Sequence, residues 1–68
     1  MNRTIRAAII AALSSSKRPL NSRTLARIMS MRFKTPIQRV YGNLSFLSRT
    51  NAVIWISRKK GGPSYLKV

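Results

Sequence analysis

The sequence predicts a mainly α fold closed by a C-terminal β-hairpin, an α+β class with three helices ahead of the hairpin. Three observations predict it. Apolar residues recur at helical spacing in three consecutive segments, the last reaching Leu47. A β-branched and aromatic run, Val53-Ile54-Trp55-Ile56, then breaks that period. A turn-forming loop, Arg58-Lys59-Lys60-Gly61-Gly62-Pro63, separates it from a second strand-like run, Ser64-Tyr65-Leu66-Lys67-Val68.

In the first segment Ile5, Ala8, Ile9, Ala12 and Leu13 share one helical face. Alanines favour the helix, and Asn2 is placed to cap it. The run Ser14-Ser15-Ser16 weakens the pattern and Pro19 ends it. The expected helix covers Arg3 to Ser15.

Leu20 precedes Asn21-Ser22, a capping pair. Leu25, Ala26, Ile28 and Met29 follow, with Arg23 and Arg27 on the outer side. This predicts a second helix from Ser22 to Met29. Ser30-Met31-Arg32-Phe33-Lys34 loses the period and reads as a turn.

Thr35-Pro36 reads as a helix start, with threonine as cap and proline at the first helical position. Ile37, Val40, Tyr41, Leu44 and Leu47 continue an apolar face. Gln38, Arg39, Gly42, Asn43 and Ser45 are expected on or near the other side. Gly42 inside a helix costs up to about 1 kcal/mol relative to alanine, and close approach of another backbone is one reason to keep it. Asn51 suits a left-handed residue that ends the helix.

Charge bounds the function. The chain of 68 residues carries 14 lysines and arginines, no aspartate or glutamate and no histidine, a formal net charge of +14. A potential this strong suits a polyanionic partner, whose binding releases counterions. Nucleic acid comes first among such partners; an anionic membrane or an acidic protein surface comes second. Apolar residues make up 44% of the chain, too many for a simple basic tail. So the charge is displayed on one small folded domain, residues 1–68.

The same inventory argues against catalysis. Without cysteine or histidine the usual zinc sites lack ligands, and without carboxylates so do hard-metal sites. A Ser-His-Asp or Cys-His arrangement cannot be assembled without histidine, aspartate or cysteine. The expectation is no enzyme, no cofactor, no metal and no small-molecule substrate. The basic, apolar N-terminus loosely resembles a signal peptide, but Arg6 interrupts the run. That run is also far too short to span a bilayer. A cytoplasmic, nucleoid-associated protein is expected.

The segment LNSRTLARIMSMRFKTPIQRVYGNLSFLSRTNAVIWI resembles a winged helix-turn-helix. The resemblance rests on the pair Leu25-Ala26, on the spaced aliphatics Ile37 or Val40, Leu44 and Leu47, on the terminating Asn51, and on the basic hairpin that follows. In size the chain is similar to small fimbrial-operon regulators of enteric bacteria and to excisionase-type or repressor-type phage proteins. The stretch after Ala26 is longer than in the tightest such motifs.

The resemblance implies a sequence-specific double-stranded DNA-binding protein, a transcriptional regulator or recombination accessory factor. Its second motif helix would enter the major groove. Thr35, Gln38, Arg39, Gly42 and Asn43 would then face the bases, Arg39 suited to guanine and Gln38 or Asn43 to adenine. Lys17, Arg18, Ser22, Arg23, Arg27, Arg32 and Lys34 would touch phosphates, helped by free amides at Ser22–Arg23 and at the start of the third helix. Arg58, Lys59 and Lys60 would form the wing tip on backbone or minor groove. A lone domain of this size covers little DNA, so a cooperative or protein partner fits.

Other readings remain open from the residues alone. A small RNA-binding or ribosome-associated protein fits the charge equally well. So does a basic protein that binds an acidic partner, or an amphipathic membrane binder. Trp55, Tyr41, Phe33 and Tyr65 offer stacking surfaces, but a small domain needs such side chains in its core. Phe46, near the polar side of its helix, is expected to be exposed and to mark a protein contact.

Overall fold

Ile5, Ile9 and Leu13 lie four residues apart on α1 (Asn2–Ser15), and all three are buried. That spacing sets one narrow apolar stripe against the rest of the domain. A computed structural model describes residues 2–57 and 64–68 of the chain. The remaining elements are β1 (Leu20–Asn21), α2 (Ser22–Arg32), α3 (Ile37–Arg49), β2 (Ile54–Ser57) and β3 (Ser64–Lys67). The architecture is α+β, three helices with a C-terminal hairpin wing.

α2 packs mainly on α3, and α1 touches both. Leu25, Ala26 and Met29 from α2 meet Val40, Leu44 and Leu47 from α3 in one core, joined by Val53 and Leu66. Ala26 is fully buried in this core. Leu20, Ile37, Tyr41 and Phe33 pack around it, half-buried.

The sheet has three antiparallel strands in the order β1-β3-β2. Leu20 pairs with Leu66, and Trp55 pairs with Leu66 from the other side. Directly paired residues point to the same face, so Leu20, Leu66 and Trp55 face the helices. Ile54 and Lys67 pair on the outer face. β1 is absent from the sequence expectation, because two residues carry no periodicity.

Several boundaries differ from the expectation. α1 begins at Asn2, so the expected cap lies inside the helix. α2 runs on to Arg32 in place of stopping at Met29. The apolar period fades there because Met31 is on the solvent side, but the backbone ladder continues. Asn21 caps α2 as expected: its side chain accepts from the amides of Arg23 at 2.9 Å and Thr24 at 3.2 Å.

The α2–α3 turn is also built differently. Lys34 takes the left-handed conformation at φ 50°. The amide of Thr35 then donates to the Ser30 carbonyl at 3.1 Å, the long closing bond of a Schellman turn. Thr35 is therefore spent on ending α2, and Pro36, which has no capping side chain, is the N-cap of α3. At the other end the Asn51 expectation holds, with φ 64° and a bond from the Ala52 amide to the Leu47 carbonyl at 2.9 Å.

Val53 was expected in the strand; it sits just before β2, buried, its amide donating to Leu47 at 3.2 Å. Trp55 was expected in the core and is 38% exposed, because β2 is an edge strand that leaves one flank of the ring uncovered. A Cβ added at Gly42 would meet nothing within 4 Å, so no neighbouring backbone requires this glycine.

Candidate nucleic-acid interface

Gln38, Arg39, Gly42, Ser45, Phe46 and Arg49 are all exposed on α3. Their spacing is that of one continuous helical stripe, opposite the buried Val40, Leu44 and Leu47. Between this stripe and the start of α1 lies an open groove of roughly 520 Å³, bordered by Asn2, Arg6, Gln38, Arg39, Phe46 and Arg49. Three arginines thus share one groove, and the chain has no carboxylate side chain to neutralise them.

Of the three, Arg6 is the one held by side-chain contacts on α3. Its Nε–H donates to Asn43 Oδ1 at 2.9 Å. Its guanidinium lies over the Phe46 ring, 3.8 Å from the centroid, a cation–π stack. Asn43 in turn donates through Nδ2 to the Arg39 carbonyl at 2.9 Å and reaches Asn2 Oδ1 at 3.5 Å. One buried amide therefore ties α1 to α3 and aims a cation between them.

That network corrects two of the expected base-facing residues. Asn43 is only 3% exposed and its side chain is committed within the protein. Thr35 is 8% exposed and belongs to the turn. Gln38, Arg39 and Gly42 do lie on the exposed stripe. The groove ends at Pro36, where no side chain caps the first amides of α3. Such amides attract anions.

The expected backbone contacts divide. Arg23, Arg27, Arg32 and Lys34 are exposed on α2 and the turn. Arg32 lies over the Phe33 ring at 5.2 Å from its centroid. Ser22 is buried, and the Arg23 amide is already taken by Asn21, so neither offers a free donor there. Lys17 and Arg18 are exposed but follow the far end of α1, whose last residue Ser15 lies about 14 Å along the helix from Arg6 by the rise per residue. Arg58, Lys59 and Lys60 lie outside the described residues.

Arg6 and Arg49 were missed as site residues. Arg49 gave no sign beyond its charge. Arg6 did: a cation next to the core position Ile5, inside an apolar run, needs a polar outlet or a partner. Phe46, expected to be exposed, is, and Arg6 covers one face of it.

A second apolar surface lies on α2, where Ile28 is 53% and Met31 80% exposed. No described helix is long and apolar enough to cross a membrane. Among the described residues no cluster of potential metal ligands occurs. Neither a family model, nor a curated protein, nor a solved structure matches this chain.

Proposed function

We propose that the protein is a sequence-specific double-stranded DNA-binding protein of the winged helix-turn-helix kind, a small transcriptional regulator or recombination accessory factor. One observation carries this reading. α3 presents an exposed polar stripe, with Gln38 and Arg39 beside the uncrowded Gly42, on a chain that has 14 cations and no acidic residue. A helix that inserts into a major groove needs such a slim, hydrogen-bonding face. Arg39 supplies paired donors for a guanine edge and Gln38 a donor and an acceptor for an adenine edge. Arg6, Arg49, Arg32 and Lys34 flank them for phosphates, and the hairpin supplies the wing. The protein acts without catalysis or cofactor and works at the nucleoid in the cytoplasm.

Binding-site selection from random duplexes at a fixed salt concentration tests this. The expected result is a recovered motif, with affinity falling steeply as salt rises. Recovery of no motif, with equal binding to every duplex, would reduce the protein to a general polyanion binder.

The exposed flank of Trp55 favours a second reading, binding to structured RNA through stacking. Competition at matched salt separates the two. Structured RNA displacing the selected duplex would favour the second.

A further inference from the structure

We infer that the groove between α1 and α3 is a phosphodiester-binding site whose principal donor is Arg6, with Asn43 and Phe46 as its positioning residues. The inference deepens the DNA-binding reading and rests on it for the source of the phosphodiester.

The geometry of the guanidinium carries the inference. Arginine grips an oxyanion through pairs of parallel N–H bonds. Asn43 Oδ1 occupies the Nε–H of Arg6 at 2.9 Å, which removes the pairing edge that includes Nε. Phe46 covers one face of the plane at 3.8 Å. What stays open is the end of the fork, the two terminal NH2 groups, and no other described side chain or carbonyl accepts from them. Arg6 borders the groove together with Arg39 and Arg49.

A long cationic side chain normally loses conformational freedom when it binds an anion. Here two contacts fix it beforehand. A buried amide is an expensive way to hold a surface cation unless its aim matters. The chain offers no acidic side chain to receive the fork, because it has no aspartate or glutamate. At the start of α3 the Arg39 amide is taken by the Pro36 carbonyl at 3.0 Å, but Gln38, which borders the same groove, has no side chain capping its amide and adds one donor for the same charge. A phosphodiester of a nucleic-acid strand crossing between the two helices fits this donor set: one formal negative charge, two free oxygens and a narrow body.

The experiment pairs duplex binding over a salt series with NMR observation of the Arg6 Nε–H during titration with inorganic pyrophosphate. The full chain is used with the variants Arg6→Ala, Arg6→Lys, Asn43→Ala and Phe46→Leu. Arg6→Ala is expected to weaken duplex binding about ten-fold or more and to lower the salt slope by about 1. Arg6→Lys keeps the charge and the slope but loses the paired bonds, so affinity still falls. Phe46→Leu leaves charge and slope intact and lowers affinity, with the folded state checked by circular dichroism. Asn43→Ala follows the same pattern where it remains folded.

Unchanged duplex affinity and slope in Arg6→Ala overturns the groove assignment while leaving the DNA reading intact. A pyrophosphate response at Arg6 with duplex binding indifferent to Arg6→Ala makes the groove a site for small free anions, and overturns the phosphodiester. Failure of the wild-type chain to bind any duplex removes the DNA reading. The groove then stands only as an anion site if pyrophosphate perturbs the Arg6 Nε–H, and falls with it if not.

Discussion

The hydroxyl of Ser30 donates to the carbonyl of Thr35 at 2.6 Å, while the Thr35 amide donates back to the Ser30 carbonyl at 3.1 Å. This reciprocal clasp fixes the angle at which α3 leaves α2, and so the direction of the exposed stripe. Ser30→Ala removes one half of it and strands the acceptor of a buried residue. The expected cost is about 1–2 kcal/mol of stability. For a domain of this size that lowers the melting temperature by several degrees, and a thermal melt followed by circular dichroism measures it. A melt identical to wild type would mean the turn is held by the backbone bond alone.

Lys34 sits at the left-handed position of the same turn, φ 50°, where a side chain with a Cβ is disfavoured. Lys34→Gly is expected to raise stability by about 0.5–1 kcal/mol, after the extra entropy of the unfolded chain is subtracted. The wild-type lysine is then explained by charge: the same variant loses a cation beside α3 and its duplex affinity falls more steeply at low salt than at high salt. Chemical denaturation gives the first quantity and the salt series the second. Lower stability in Lys34→Gly would show that the lysine side chain makes up for its backbone.

Titration behaviour follows directly from composition. The chain has no Asp, Glu or His, the side chains whose ordinary titration spans acid to neutral pH. No carboxylate pairing exists to be lost on acidification, so ordinary acid unfolding has no driver. The melting temperature is expected to stay level across that window at constant salt. Raising salt at fixed pH is expected to raise it, because a net charge of +14 repels itself in the folded chain and ions screen that repulsion. A marked loss of stability on mild acidification would contradict the first expectation, and a falling melting temperature with added sodium chloride the second.

The order of elements was legible in the residues, because Ile5, Ile9 and Leu13, then Val40, Leu44 and Leu47, carry a clear helical period that yields to Ile54-Trp55-Ile56. β1 was not, since Leu20-Asn21 becomes a strand only by pairing with Leu66 and Tyr65 far along the chain. The start of α3 misled for a related reason. Thr35-Pro36 has the local look of a cap, but Lys34 turning left-handed spends Thr35 on the end of α2. Asn43 shows the limit most plainly. On α3 alone it is a polar residue next to a polar stripe. Its burial depends on Arg6, 37 positions earlier, which no local pattern announces.

Gly42 offers a test in which stability and binding move in opposite directions. It lies inside α3 on the exposed stripe, and an added Cβ would meet nothing within 4 Å. Gly42→Ala therefore gains helix propensity without a clash, and stability is expected to rise by up to about 1 kcal/mol. The folded protein gives no packing reason for the glycine, and the DNA-binding reading supplies one in what would approach the stripe. If α3 enters a major groove, the added methyl stands between the helix backbone and the bases, flanked by Gln38 and Arg39. Duplex affinity is then expected to fall although the protein is more stable, and to fall most on the selected sequence, because phosphate contacts elsewhere are untouched. Parallel melts and binding curves on selected and scrambled duplexes read both effects. An alanine variant that is more stable and binds the selected duplex as well as wild type would take Gly42 out of the interface, and with it the register assigned to α3.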